Sequence, residues 1–221
     1  MIKKNKIITK VFKILTSPLF ISITIFLFLQ LQIFNLSVNI AEEGFFLYSA
    51  KQIALGQIPY KDFFMHVTPG NYYLLAVLFK IFGTYIAIDR ILYIVYVVFL
   101  LITLSKIFNL QQKWAYFYFL IITFLQITPS MFFSYNSAYG IAIFSFFILQ
   151  RGFRNGKWVY IFLAGLTSGL AFIFKQNVGF FIAFSFYALL ILLPEIKNRK
   201  KLIFSYSSGL FLIVFFIFLC Q

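Results

Sequence analysis

The chain of 221 residues contains 62% hydrophobic and only 11% charged residues, whereas about a quarter of the residues of an average soluble domain are charged. This composition excludes a soluble globular protein and predicts an all-α polytopic membrane protein. The net charge of +14 does not indicate a nucleic-acid-binding protein, because the basic residues are spread between apolar segments instead of being gathered on one polar face.

Seven apolar segments are predicted to span the membrane, since a spanning helix needs about 20 residues. They lie at 14–36, 87–105, 114–128, 131–150, 158–174, 178–193 and 202–220. No linker or repeat separates them, so residues 1–221 are expected to form one membrane domain. The first segment follows a basic stretch but is too long for a signal peptide, and we expect it to be retained as a helix.

The basic residues predict how the chain crosses the membrane. If the seven segments alternate in direction, 14 of the 19 lysines and arginines fall on one side, and positive residues favour the cytoplasmic side. We therefore expect a multi-pass protein of the cell membrane with a cytoplasmic N-terminus. The loop at 39–86 then faces outward, and it holds three of the five acidic residues and the only histidine.

This external loop is predicted to contain two amphipathic helices at the membrane surface. The first begins at the pair Glu42–Glu43 and ends before Gly56. Its apolar side chains share one face and its polar side chains the other: Phe46, Ala50, Ile53 and Ala54, against Ser49, Lys51 and Gln52. The second covers 72–82 and reaches only about 16 Å, half of the hydrocarbon thickness.

The later segments contain a few charged, polar and glycine residues for which a role is predicted. Asp89 and Arg90 are expected to anchor the outer end of the second segment. Asn136, near the outer end of the fourth, either joins two helices by a hydrogen bond or lines an external cavity. Gly165 and Gly169 have a spacing that permits close helix packing within the bundle.

The sequence has no Gly-rich phosphate loop, no His/Cys cluster with zinc spacing and no Ser/His/Asp set. No metal site is predicted and no cofactor is certain, although a requirement for a divalent cation is left open. Carboxylates, one histidine and a few cations remain at the outer membrane surface. Such a set is suited to glycosyl transfer, because a carboxylate can take a proton from an acceptor hydroxyl and a cation can stabilise a leaving phosphate.

Residues 42–83 carry several unusual features in a fixed order. An acidic pair and a short helix precede Gly56-x-x-Pro-Tyr-Lys-Asp-Phe-Phe, a histidine shortly before Pro69-Gly70, and an apolar helix that ends in Phe-Gly. This order resembles the first external loop of the polytopic GT-C fold glycosyltransferases, which include aminoarabinose transferases and protein O-mannosyltransferases. The resemblance covers their N-terminal half, so we expect the chain to be a fragment or a truncated product.

The resemblance implies transfer of a sugar, with inversion, from a polyprenyl-phosphate donor to a glycan, lipid or protein acceptor at the outer face of the bilayer. Glu42 would be the catalytic base and Glu43 the alternative. Other roles also follow from the resemblance: donor phosphate binding for Lys175, Lys61 and His66, and lining of the cavity for Asp62, Tyr60 and Asn136. The chain departs from the family at Asn136, which replaces a residue that is often acidic, and at Val67, which replaces a frequent lysine.

Other interpretations of these residues stay open. The acidic pair also suits the positive end of a helix dipole, and Lys175 suits the negative end of another. A transporter or flippase subunit is an alternative, although transporters tend to carry ionisable residues near the midplane of the membrane, where these segments have almost none. A non-catalytic, truncated membrane protein is the second alternative.

Overall fold

The computed structural model describes residues 12–35, 43–108, 112–125, 133–193 and 198–219. Within these ranges the chain is helical and has no strand, so the predicted all-α class is confirmed. Nine helices have their bounds within these described ranges: α1 Pro18–Ile33, α2 Phe45–Ala54, α3 Gly70–Phe82, α4 Ile86–Ile107, α5 Gln112–Leu125, α6 Phe133–Asn155, α7 Trp158–Phe174, α8 Gln176–Leu192 and α9 Arg199–Leu219.

One of these described helices, α4, is long and apolar enough to cross a membrane by its length and composition. Four further helices are apolar but have between 10 and 17 residues: α1, α3, α7 and α8. Each predicted segment coincides with a helix, but seven membrane crossings remain a prediction. Helix α1 starts at Pro18, later than the predicted start at 14, and Ser17 caps it by accepting a 3.3 Å hydrogen bond from the Phe20 amide. Residues 12–15, just before this cap, form a separate helical turn.

Helix α7 lies at the centre of one packed unit and contacts α6, α8 and α9. The approach of α9 depends on glycine, since a Cβ on Gly165 or Gly209 would overlap the backbone of the facing helix. A Cβ on Gly169 would lie 2.9 Å from the Leu210 carbonyl oxygen. The predicted close packing at Gly165 and Gly169 is therefore confirmed, and it occurs within the bundle.

A second unit is formed by α2 and α3, which pack on each other and join the core that includes α1 and α4. Phe46 on α2 meets Tyr72 on α3 edge to face, with 4.8 Å between the ring centroids. The prediction that Ser49 faces away from this core is wrong, because its side chain is fully buried. Ser49 is three residues after Phe46 and so belongs to the stripe that α2 buries against its neighbours.

Candidate functional site

The loop between α2 and α3, residues 57–69, is stabilised by hydrogen bonds between its own residues. Gly56 ends α2 with a φ of 96°, which a residue with a side chain rarely adopts. The Asp62 carboxylate accepts a 2.7 Å hydrogen bond from the Ile58 amide, and the Tyr60 hydroxyl donates to the Val67 carbonyl at 2.6 Å. Partial burial, and to a lesser extent the neighbouring Tyr73, raises the pKa of the Tyr60 hydroxyl.

The end of this loop is bound to the turn between α7 and α8. Thr68 makes two contacts, from its amide to Gln176 Oε1 and from its hydroxyl to the Phe172 carbonyl, both at 3.2 Å. Asn71 Nδ2 donates to the Phe174 carbonyl at 3.4 Å. The last carbonyls of a helix have no partner within the helix, so the loop satisfies groups that α7 leaves exposed.

The first turns of α3 and α6 complete this junction. The Ser137 hydroxyl donates a 2.7 Å hydrogen bond to Asn71 Oδ1, and both residues are buried. A Cβ on Gly70 would lie 2.8 Å from the Ile173 carbonyl oxygen, so glycine is needed for the backbone of α3 to approach α7. The Pro-Gly step of the sequence motif thus marks the point where the external loop meets the bundle.

Lys175 lies at this junction, in the single extended residue between α7 and α8. Its side chain is half-buried, and its ammonium group is 5.3 Å from the centroid of the Tyr139 ring, within the range of a cation–π contact. Tyr139 is on α6, one turn beyond Asn136, whose side chain is also half-buried. The structure therefore places Lys175, Asn136 and the end of the 57–69 loop at the same end of the bundle.

A buried ion pair connects the other side of the external loop to α4. Arg90 Nε is 3.2 Å from Glu43 Oε1, Nη2 is 3.5 Å from Oε2, and the two side chains are 7% and 2% exposed. The same guanidinium donates from Nη1 to the Phe34 carbonyl, just after the end of α1. Arg90 thus connects α1, α2 and α4. The Glu43 carboxylate is paired with Arg90 and buried, and it is not exposed to solvent.

Asp89 lies beside this pair and is only 1% exposed. No described group lies within hydrogen-bond distance of its buried Oδ1. The donors of Arg90 are directed at Glu43 and Phe34. Two carboxyl groups and one guanidinium are therefore enclosed together, where each charge that lacks a partner costs several kcal/mol or more.

The remaining predicted residues are distributed as follows. Glu42, the first candidate for the base, lies outside the described residues. Lys61 and His66 are exposed on the loop, and the His66 ring is 5.6 Å from that of Phe45 and 6.5 Å from that of Phe64. Within the described ranges no three His, Cys, Asp or Glu residues are grouped as a metal site would require.

The sequence predicts that Asp89 and Arg90 anchor a helix end, but it does not predict the pairing of Arg90 with Glu43. It also did not predict the contacts of Thr68, Asn71 and Ser137. Their only signal was polarity within apolar surroundings, which indicates that a partner exists but not which one.

Comparisons of the chain with protein-family models, with curated proteins and with solved structures find no match. A functional interpretation therefore depends on the residues at the two ends of the external loop. On one side they form the enclosed Glu43–Arg90 pair beside Asp89, and on the other the junction that carries Lys175.

Proposed function

We propose that the protein is an integral membrane glycosyltransferase that transfers a sugar, with inversion, from a polyprenyl-phosphate donor to an acceptor at the outer face of the cell membrane. The observation that carries this proposal is the attachment of the external loop to the α7–α8 turn through Thr68 and Asn71. This attachment brings a cation, Lys175, to the loop that carries the candidate acids. A leaving phosphate and an attacking hydroxyl need these two kinds of group.

Membrane insertion is supported by large apolar side chains that α8 and α9 expose. Six phenylalanines on these two helices are between 59% and 75% exposed: Phe180, Phe181, Phe184, Phe204, Phe211 and Phe215. Soluble monomers rarely expose contiguous apolar surface on this scale. Hydrocarbon chains would cover such a surface without the cost that water imposes.

The ion pair of Glu43 favours Glu42 as the catalytic base. The Glu43 carboxylate already receives two donors from Arg90 and is enclosed by protein, so it is not accessible to an acceptor hydroxyl. Glu42, the adjacent residue in the chain, is then the acid proposed to take the proton of the acceptor hydroxyl, while Lys175 stabilises the leaving phosphate. Lys61 and His66 on the exposed loop are further candidates for contacts with the donor.

The test is a transfer assay in proteoliposomes with a polyprenyl-phosphate sugar. Glu42→Gln is expected to abolish turnover and keep donor binding, because the amide has the same shape but cannot accept the proton. Lys175→Gln is expected to weaken donor binding by about 1.5–3 kcal/mol, the value of a charge-assisted contact. Lys80→Gln, at an exposed lysine of α3, is the matched control and should change neither quantity.

Full transfer by the Glu42→Gln protein would assign the base to another acid, with Glu43 and Asp62 as the next candidates. A wild-type protein that neither binds nor turns over any lipid-linked sugar would support the non-catalytic alternative.

A further inference from the structure

Three aromatic rings form a row on the 57–69 loop and the start of α2. The Phe64 and His66 rings are 6.5 Å apart, and their planes differ by only 21°. The Phe45 ring of α2 lies 5.6 Å from the same imidazole. Phe64 is 77% exposed, and His66 is also exposed. These three residues are called here the aromatic row, and its loop residues are accessible from outside the protein.

The loop segment that carries the aromatic row is held in a strained conformation. Tyr60 has a φ of 68°, which is uncommon for a bulky side chain. Its amide donates to the Phe63 carbonyl at 3.0 Å, and its hydroxyl donates to the Val67 carbonyl at 2.6 Å. Strained residues that are supported in this way occur mainly at ligand-binding and active sites. A loop that is already ordered also loses less entropy when it binds.

Polar side chains flank the exposed ring of Phe64 along the chain. Lys61 and Asp62 precede it, His66 follows it, and all three are exposed. The hydrocarbon of a bilayer disfavours an ammonium group and a carboxylate so close to a buried ring. A sugar ring fits this mixture better. Its C–H face suits the negative face of an aromatic ring, and its hydroxyls can form hydrogen bonds with the charged groups nearby.

We infer that the aromatic row binds a sugar ring of a glycan acceptor, which stacks on Phe64 and His66. Position favours the acceptor over the donor sugar, because the row reaches α2 at Phe45, two residues after Glu43. The cation proposed for the donor, Lys175, lies instead at the α7–α8 turn. The assignment to the acceptor rests on the proposed function, whereas sugar binding is testable without any transfer. It selects a glycan from the three possible acceptor classes.

Binding of free oligosaccharides tests the aromatic row directly. The full chain in nanodiscs is mixed with tetrasaccharides of glucose, mannose, galactose or N-acetylglucosamine, and saturation-transfer NMR measures their binding. We expect at least one of them to bind through its ring C–H protons. Phe64→Ser should weaken this binding at least about fivefold and Phe64→Trp should retain it. Phe82→Ser, at another exposed phenylalanine near the loop, is the control. Absence of binding by all the tetrasaccharides, or equal effects of Phe64→Ser and Phe82→Ser, would overturn the inference.

Two substitutions of His66 separate stacking from charge. His66→Phe keeps an aromatic face without polar atoms, and His66→Lys keeps a positive charge without a ring. If the row stacks on a sugar, His66→Phe should bind the tetrasaccharide within about twofold of wild type, and His66→Lys at least about fivefold more weakly. The reverse order would overturn the inference and support the donor-phosphate role that the sequence resemblance implies.

The competing occupant of the row is the membrane itself. A cysteine that replaces Phe64 in a Cys220→Ser background is labelled with an environment-sensitive dye in proteoliposomes. We expect iodide in the aqueous phase to quench this dye and nitroxide lipids to leave it bright. The same dye at Phe181→Cys, an exposed position of α8, should show the opposite pattern. Quenching of the dye at position 64 by nitroxide lipids would show that the row inserts into the bilayer, and it would overturn the inference.

The two possible sources of the sugar are distinguished in the transfer assay, with the bound tetrasaccharide as acceptor. Phe64→Ser should raise the KM for the acceptor at least about fivefold and leave the KM for the polyprenyl-phosphate sugar within about twofold. The opposite result would place the donor sugar on the row and overturn the assignment to the acceptor. Tetrasaccharide binding that depends on Phe64, in a protein that transfers no sugar, would contradict the proposed function and leave the sugar site in place.

Discussion

Arg90 satisfies its donors with groups from two other segments of the chain. Its guanidinium pairs with both carboxylate oxygens of Glu43 and donates to the Phe34 carbonyl. It is also 6.0 Å from the centroid of the Phe34 ring. The ends of the connection between α1 and α2 are therefore held by a single side chain, and this connection carries Glu42.

Because of the charges around Arg90, we expect the loss of Arg90 and the loss of Glu43 to lower the free energy of unfolding by different amounts. Arg90→Met would leave Glu43 enclosed beside Asp89 without a counter-ion, and we expect a loss of about 3–5 kcal/mol in the free energy of unfolding. Glu43→Gln should cost less, because Arg90 would still have Asp89 nearby. Chemical unfolding in detergent would measure both, with Arg154→Gln at an exposed position of α6 as the control.

The double variant, Arg90→Met with Glu43→Gln, extends this prediction. It should be more stable than Arg90→Met alone, because it removes the Glu43 carboxylate that Arg90→Met leaves without a counter-ion. A double variant whose loss is the simple sum of the two single losses would mean that the two side chains are not coupled. Equal losses for the two single changes would contradict only the expected order.

Among the helices, the contact of α7 with α9 depends most directly on small residues. Gly165 faces the Tyr206 carbonyl, Gly209 faces the Phe162 carbonyl, and neither position leaves room for a Cβ. Gly169 is slightly less confined, with 2.9 Å to the nearest backbone atom. Small residues at a helix interface allow backbones to approach and side chains to pack tightly around them.

This packing predicts a graded series of alanine substitutions. Gly165→Ala should lower the free energy of unfolding by about 1–3 kcal/mol, the usual cost of overpacking, and Gly169→Ala should lower it less. Thr167→Ala on the same helix is the control, since its hydroxyl bonds to carbonyls of α7 itself. Thermal unfolding in detergent gives the order, and an equal or reversed effect of the two glycine changes would contradict the packing.

Most of the helices could be predicted from the sequence because each coincides with an apolar run, and α2 was predicted from the helical spacing of its apolar side chains. The start of α1 differs from the prediction at 14, although Ser17 before Pro18 is a typical helix start, because the apolar run extends past this cap on its N-terminal side. The polarity of Ser49 predicts an outward position on α2. This prediction is wrong because the helical position of Ser49, between Phe46 and Ala50, lies on the buried face. The composition of a segment indicates that a helix forms, but the spacing of three or four residues between its buried side chains determines which face is buried.

The site was harder to predict because its contacts join residues that are far apart in the chain. Arg90 and Glu43 are 47 positions apart, and Thr68 and Gln176 are 108 apart. Side-chain polarity alone does not select among so many partners. The placement of Lys175 near the external loop was nevertheless expected from the alternating direction of the helices, because that order depends only on the number of segments between them.

At the scale of the whole molecule, the two ends of α7 lie among different groups of residues. At its start, the Lys201 ammonium is 6.0 Å from the centroid of the Trp158 ring, and Ser205 donates a 3.0 Å hydrogen bond to the Trp158 carbonyl. Lys157 precedes this tryptophan. At the other end, about 25 Å away at 1.5 Å per residue, lie Lys175 and the external loop. The basic residues of two predicted cytoplasmic loops therefore meet at one end.

This separation predicts the orientation of the chain in the membrane. Because 14 of the 19 basic residues are assigned to the end that holds Lys157 and Lys201, and basic loops are retained in the cytoplasm, the loop at 57–69 should face outward. Cysteines at Gln57 and Gln112, each in a Cys220→Ser background, should react with an impermeant maleimide from opposite sides of intact cells. Gln57 should be labelled from outside and Gln112 only after permeabilisation. Labelling of both positions from the same side would show that 87–105 is not the single crossing between them. It would also remove the common outer face on which the proposed transfer depends.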